Sequence, residues 1–317
     1  MIVVYLFCKM QIHRDIDNLP AFRNAVITID TFDGVHMGHR QIIEKLRSEA
    51  QKNDGESVII TFHPHPRKVV SSAILGIRLL NTPAEKAELM EQLGIDHLVI
   101  VPFSDVFANM SAEEYIEEFL IKKFHPHTII IGYDHRFGRN REGDIHLLRQ
   151  LGEAYDFGVE EIPAHEIDHV KVSSTKVREA LLRGEAKLAH DLLGYAYPLG
   201  GVVVKGDQRG RTIGFPTANV GGIDPGKLLP ADGVYAVEVD LRDGVYKGML
   251  NIGLRPTVEG RDRTVEVNIF DLDRDLYGEP ITVRLRHRLR AEVRFSGLDA
   301  LKAQLLLDRE LAEKLLA

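Results

Sequence analysis

Two histidines three residues apart follow a glycine corner early in the chain, in Asp33-Gly34-Val35-His36-Met37-Gly38-His39. Imidazoles at i and i+3 share one face of a helical turn, and each can donate a hydrogen bond to a phosphate oxygen. Gly34 and Gly38 let backbone approach a ligand closely, and a helix starting here turns free N–H groups and a positive dipole end toward an anion. The arrangement suits displacement at the α-phosphorus of a nucleoside triphosphate. That reaction needs charge stabilisation and in-line positioning more than covalent help. His-x-x-His alone is also the spacing of a metal pair, or of two ordinary surface histidines. A distant segment, Val172-Ser-Ser-Thr-Lys-Val-Arg178, adds to the phosphate reading. It brings hydroxyls and two cations to the start of a helix expected over 177–182, where a departing pyrophosphate can be held.

A second stretch with chemical potential is Lys205-Gly-Asp-Gln-Arg-Gly-Arg-Thr-Ile-Gly-Phe-Pro-Thr-Ala-Asn219. Gly206, Gly210 and Gly214 make a pliable loop of phosphate size, with Arg211 inside it. No Gly-Lys-Ser/Thr follows, so this is not a Walker A loop. Thr217 and Asn219 offer a hydroxyl and a carboxamide, hard oxygen donors suited to Mg²⁺. By composition alone, a glycine loop of this kind is more often structural.

The elements that must carry these residues change character along the chain. Up to about residue 185, short apolar runs alternate with amphipathic stretches. Strands are expected at 25–29, 57–62, 97–102, 128–132 and 159–162, and helices at 40–53, 82–93, 111–124 and 145–155. Thr82 is an N-cap with Pro83 at the first position, and Ser111 with Glu114 forms a capping box. This alternation implies a parallel sheet with helices on both faces. The corner before His36 then lies at the carboxyl end of the first strand, where open parallel sheets bind ligands.

From Tyr197 the runs are rich in Val, Gly and Thr, at 200–205, 233–240, 246–252, 264–270 and 281–287. Asp-Gly turns separate them. This is antiparallel β, expected as a small closed barrel, followed by a helix over 298–316 with leucines at 301, 305, 311 and 315. The expected division is a first domain of residues 1–185 and a second of 186–317.

Charge and composition exclude several classes. The 317 residues suffice for two ordinary domains, and the formal net charge of −7 argues against a protein that coats nucleic acid. No apolar run is long enough to span a bilayer. Residues 1–9 are apolar but lack a basic flank and a small-residue cleavage site, so they read as neither signal peptide nor span. Met10 is expected to serve as an alternative start. Cys8 is the single cysteine, which permits no disulfide framework and fits a reducing, cytoplasmic setting.

The first half resembles nucleotidyltransferases with an H-x-G-H signature, and in particular the FAD synthetase module of bacterial bifunctional riboflavin kinase/FMN adenylyltransferases. The resemblance rests on Phe-Asp-Gly-Val-His-Met-Gly-His (32–39), Thr-Phe-His-Pro-His-Pro-Arg (61–67), Gly-Tyr-Asp-His-Arg-Phe-Gly (132–138), Arg-Glu-Gly-Asp (141–144) and Val-Ser-Ser-Thr-Lys-Val-Arg (172–178). The second half resembles riboflavin kinases. It carries the G-x-x-x-G-R-x-x-G-F-P-T-A-N string, then Asp-Gly-Val-Tyr (232–235), Asn-Ile-Gly-Leu-Arg-Pro-Thr (251–257), Val-Glu-Val-Asn-Ile-Phe-Asp (265–271), Leu-Tyr-Gly (276–278) and Leu-Arg-Ala-Glu-Val-Arg-Phe (289–295). Together the matches run from about Ile27 to Phe295, in the family's order.

The resemblance implies that riboflavin becomes FMN, and FMN becomes FAD, each at the expense of ATP with Mg²⁺. It places Phe32, Gly34, His36, Gly38 and His39 on ATP, and Ser173, Ser174, Thr175 and Arg178 on phosphates. His65, Asp134 and Arg136 would shape the nucleotide and flavin pockets. In the second half Gly206, Gly210, Arg211 and Gly214 would cradle ATP, Thr217 and Asn219 would hold the metal, and Glu266 would be the base for the riboflavin hydroxyl. Arg290 and Glu292 would border the flavin. Adenylylation needs no base, because the attacking FMN phosphate oxygen is already ionised.

Three departures stand out. The family usually has Gly at Asp30, often an aromatic at His135, and often His at Asn268. A carboxylate at position 30 near a triphosphate implies weakened adenylylation by like-charge repulsion, unless it turns away or pairs with a cation. Little effect is expected of Asn268. Two alternatives stay open: a riboflavin kinase whose first domain has lost or changed activity, and a flavin-binding regulator that uses the barrel as a sensor. A sensor needs neither a base nor metal ligands.

Overall fold

The structure is a computed structural model and describes residues 9–70, 78–163, 172–206, 209–257 and 260–317. Residues 1–8, with Cys8 and most of the apolar N-terminal stretch, lie outside these, as do Asp207 and Gln208 of the glycine loop. The chain divides into two compact units, one ending at Ser173 and the other beginning at Ser174.

The first unit is built on six parallel strands: β1 (Gln11–His13), β2 (Val26–Ile29), β3 (Ser57–His63), β4 (His97–Pro102), β5 (Thr128–Gly132) and β6 (Gly158–Ile162). Their order across the sheet is β1-β4-β3-β2-β5-β6, and every neighbouring pair is parallel. All of β2 is buried, as a strand covered on both faces must be. Ile27 and Ile29 join Ile116, Phe119, Ile129 and Ile131 in the core, and the helix Met37–Lys52 packs on β2 and buries Ile42, Ile43 and Leu46.

Both expected helix starts are present. Thr82 and Ser111 each accept from the third helical N–H, and Glu85 and Glu114 reach back to the cap. The helix after Ser111 contains a π-helical run, Tyr115–Ile121. The short edge strand β1 was not anticipated.

From β2 the chain steps to β3 and β4 on one side, and β5 then joins β2 on the other. The sheet therefore reverses its winding between β2 and β5, and a crevice opens beyond the carboxyl ends of these two strands.

The second unit opens with the helices Ser174–Arg183 and Ala186–Leu193. The first of these helices falls with the second unit and is tied to the barrel. Leu181 accepts from the Ala231 N–H at 2.9 Å, and Arg183 accepts from Arg288 at 3.4 Å. Six antiparallel strands follow: β7 (Tyr197–Val204), β8 (Ala218–Gly221), β9 (Gly233–Leu241), β10 (Gly244–Thr257), β11 (Gly260–Ile269) and β12 (Pro280–Arg290). They close as β10-β11-β8-β7-β12-β9.

The helix Leu298–Leu315 lies against the barrel through Leu305, Asp308 and Ala312, near Phe215, Met249 and Phe270. Leu311 and Leu315 of the expected stripe are exposed instead. The inward turn is polar because Asp308 answers Arg290 at the end of β12, with Nη2 2.8 Å from Oδ2.

Candidate active sites

The corner after β2 is built from backbone that side chains ordinarily avoid. Phe32, Gly34 and Val35 have φ of +46°, +92° and +37°. Only Gly34 takes such a conformation without strain. Buried Asp33 fixes the turn by accepting from the N–H groups of Leu80 at 2.9 Å and Asn81 at 3.4 Å. The helix then starts with His36 as N-cap, its Nδ1 accepting from the His39 N–H at 3.3 Å. That bond turns the His36 Nε2 edge outward from the helix.

The two imidazoles stack, with ring centres 3.6 Å apart and planes 13° from parallel. Phe32, fully buried, meets His39 edge-on at 5.2 Å. Burial pushes the His36 pKa down to about 3, helped by His39 and opposed by Asp30 and Asp33. Burial and the Lys86 cation likewise push His39 down to about 3. Both rings are therefore neutral at physiological pH. Each carries a single N–H to donate, and His39 Nδ1 is buried with no partner among the described residues. A stacked neutral pair at a helix start, on the switch-point crevice, has the chemistry to donate to phosphate oxygens.

Asp30 does not turn away. Its Oδ1 accepts from the Thr31 N–H at 2.5 Å and the Thr31 hydroxyl at 3.2 Å, while Oδ2 lies 3.7 Å from His39 Nε2. The side chain is 42% exposed, so the carboxylate stands in the crevice beside the histidine pair.

The remaining first-unit residues fall on neighbouring strand ends. Asp134, His135 and Arg136 follow β5, across the switch point from His36. His135 packs on Phe137 at 5.9 Å, and burial lowers its pKa against the pull of Asp30 and Asp134. Arg136 is turned to Asp144, 3.2 Å away, which caps the helix Ile145–Tyr155. His65 follows the cis His63–Pro64 bond beyond β3, and its Nδ1 accepts from the Arg67 N–H at 3.2 Å. Together with Asp33, Thr61, His63, Asn81 and Lys86 it lines a small cavity of about 20 Å³.

Lys86 was not singled out from the sequence. It is half-buried and donates to the Thr31 carbonyl at 2.6 Å and to Thr61 Oγ1 at 3.2 Å. Burial pushes its pKa down to about 8, although Asp33 and Asp30 pull upward. The sequence signal was its place one turn inside a capped helix whose Ala87, Leu89 and Met90 are buried.

Ser174, Thr175 and Arg178 occupy the first turns of the helix Ser174–Arg183, and Ser173 directly precedes it. Four residues with hydroxyl or guanidinium groups thus gather at one N-terminus in the second unit's opening helix.

In the barrel, β8 and β11 place Asn219 directly across from Glu266, and β10 places Asn251 across from Glu266 on its other side. Residues opposite one another share a sheet face, so Asn219, Glu266 and Asn251 form one polar row. The Thr217 hydroxyl, one residue before β8, lies 3.5 Å from Glu266 Oε2. Glu266 is half-buried.

The glycines of the loop have visible reasons. A Cβ on Gly206 would collide with the Asn219 carboxamide, and one on Gly210 would collide with the Phe215 carbonyl. Gly214 turns with φ of +84°, where an added Cβ would meet nothing among the described residues, and Arg211 nearby is exposed. Hydroxyl, carboxamide and carboxylate oxygens thus converge beside a glycine loop, and this hard-oxygen set fits Mg²⁺ shared with phosphates. Among the described residues, no group of three or more His, Cys, Asp or Glu could hold a metal ion.

Arg290 is engaged rather than open. Its guanidinium is bonded to Asp308 and lies 5.5 Å from the Phe295 ring centre. Glu292 reaches over Gly253, where a Cβ would strike its Oε1.

Comparison with known proteins matches each half of the chain to a family. The FAD synthetase family matches residues 19–176 and the riboflavin kinase family matches residues 193–316. A bifunctional riboflavin kinase/FMN adenylyltransferase of Escherichia coli K12 is 40% identical over 304 residues, spanning 94% of this chain and 96% of its own. One from Bacillus subtilis is 36% identical over 291 residues, spanning 90% of each. A solved structure described as a macrolide-efflux protein from Streptococcus pneumoniae is 31% identical with a TM-score of 0.86, covering 96% of this chain and 99% of that one. No described helix of the present chain is long and apolar enough to cross a membrane. With both families matched in order and relatives aligned over nearly its whole length, the chain belongs to the bifunctional riboflavin kinase/FMN adenylyltransferase family.

Proposed function

We infer that the chain converts riboflavin to FAD in two steps. The second unit transfers the γ-phosphoryl group of ATP to the 5′-hydroxyl of riboflavin, giving FMN and ADP. The first unit joins FMN to the adenylyl group of another ATP and releases pyrophosphate. The observation that carries this reading is the pairing, on one chain, of a neutral histidine pair at a switch point with a Thr217–Glu266–Asn219 constellation beside a glycine loop.

In the kinase step the riboflavin hydroxyl must lose its proton as it attacks the γ-phosphorus. Glu266 takes that proton. Gly206, Gly210, Arg211 and Gly214 border the phosphates. Thr217 and Asn219 hold Mg²⁺, which when bound supplies charge neutralisation on the phosphate oxygens. Glu292 and Arg290 lie toward the flavin, with Arg290 acting through its hold on Asp308.

In the adenylyl step the FMN phosphate is its own nucleophile. His36 and His39 donate to the α-phosphate region, where neutral imidazoles act as directional donors. Ser173, Ser174, Thr175 and Arg178 are the phosphate-binding residues that the family resemblance implies. His65, Asp134 and Arg136 border the nucleotide and flavin. The partners are small molecules, in keeping with the net charge of −7 and a single cysteine. Neither nucleic acid nor membrane enters this reading, and the expected setting is cytoplasmic. Efflux, named for the pneumococcal protein, needs neither the histidine pair nor the oxygen row, so it is not carried over.

Paired lesions test the reading. Glu266→Gln should abolish FMN formation from riboflavin while FAD still forms from added FMN. His39→Ala should do the reverse. Loss of both activities in either variant would overturn the assignment of one reaction to each unit. One observation favours a second reading, a kinase with a feeble first unit: the Asp30 carboxylate beside His39.

A further inference from the structure

We propose that Asn268 is a positioning residue for the kinase reaction, holding the Pro216–Thr217 peptide so that the Thr217 hydroxyl faces Glu266 and the metal. This rests on the kinase reading of the second unit. Asn268 follows Glu266 by two residues on β11, so strand alternation puts both side chains on one face. It is 6% exposed and lies directly across the β10–β11 ladder from buried Met249. A carboxamide buried beside an apolar neighbour is costly unless it is hydrogen-bonded. Its Nδ2 donates to the Pro216 carbonyl at 2.7 Å, across 52 residues of sequence.

That carbonyl belongs to the peptide that leads into Thr217. Pro216 has no N–H with which to anchor itself to a strand. Thr217 is exposed and precedes the ladder of β8, which begins at Ala218. Glu266 and Asn219 are set by strand pairing, whereas Thr217 depends on how the preceding peptide plane is turned. Asn268 sets that plane from the same strand that carries Glu266. One strand thus governs both the carboxylate and the hydroxyl 3.5 Å from it.

The requirement is a donor at this position. Asn268→His, with a ring N–H, should preserve function, and Asn268→Leu, of similar size with no donor, should not. The experiment uses the full chain and follows MgADP protection of the 215–220 segment by hydrogen exchange, together with KM for MgATP in FMN formation. In Asn268→Leu the protection should fall and KM should rise about tenfold, with a smaller change in kcat. Asn268→His should remain near wild type, and FAD formation from added FMN should be unchanged in both. If Leu prevents folding, Asn268→Ser, too short to reach Pro216, takes its place.

Wild-type protection by MgADP and kcat and KM in the donor-free variant would overturn the proposal, as would an equal loss in Asn268→His. The underlying reading is checked separately. If wild type forms FMN without Mg²⁺, or Thr217→Val keeps its MgADP protection, the metal site is wrong and the proposal falls with it.

Discussion

The imidazole of His36 lies flat on that of His39, ring centres 3.6 Å apart, at the first turn of a helix on the crevice between β2 and β5. Two rings so close and so buried cannot both take protons cheaply. Each has a pKa of about 3 in the fold against 6.5 when free. The unfolded chain therefore binds more protons between these values, and stability falls as pH drops from 6.5 toward 3. Above 6.5 the contribution is complete. Each histidine costs about 1.4 kcal/mol per pH unit within the window. Thermal unfolding of wild type and His39→Gln at pH 7 and pH 5 checks this. The variant should lose less stability on acidification, and parallel losses would refute the buried neutral pair.

Asp30 puts negative charge beside the histidine pair proposed to receive the ATP phosphates. Its carboxylate is 42% exposed, so the repulsion is screened and amounts to about 1 kcal/mol, some fivefold in KM at low salt. Asp30→Gly should lower KM for ATP in FAD formation by about that factor, and added salt should narrow the gap. An unchanged KM would show that the carboxylate does not oppose the triphosphate.

Lys86 ties the Thr31 carbonyl to Thr61 and so holds the strained corner from beneath. Lys86→Met removes the donor from both acceptors, of which Thr61 is buried. FAD formation from FMN should fall about tenfold or more, since a small misplacement of a positioned group is costly. FMN formation should stay at the wild-type rate, which separates this effect from general damage.

The Arg290–Asp308 pair joins the end of β12 to the C-terminal helix, with the Asp308 side chain only 4% exposed. Breaking a buried pair leaves an uncompensated charge, so Asp308→Ala should cost about 3 kcal/mol in urea unfolding. The double variant Arg290→Met with Asp308→Leu should recover most of that.

Much of this was legible in the sequence, and what was missed shares a cause. The strands of the sheet and the capped helix starts at Thr82 and Ser111 follow from local signals, because capping and apolar runs act over a few residues. The four-residue β8 was hidden inside the glycine-loop motif, yet it places Asn219 opposite Glu266. Asp33, Lys86 and Asn268 take their partners from segments 25 to 55 residues away, and no local pattern shows such pairings. The C-terminal helix misled for the same reason: Leu311 and Leu315 are exposed, and the buried turn carries Asp308, whose partner is on β12. The helix Ser174–Arg183 reads locally as a phosphate-binding start, while its packing belongs to the second unit.

The most direct test is a chromatographic time course of the whole protein with riboflavin, ATP and Mg²⁺, repeated from FMN. FMN should appear first and FAD should follow, with FAD forming without delay when FMN is supplied. FMN that accumulates and is never adenylylated would contradict the two-step account and leave a riboflavin kinase beside a silent histidine pair.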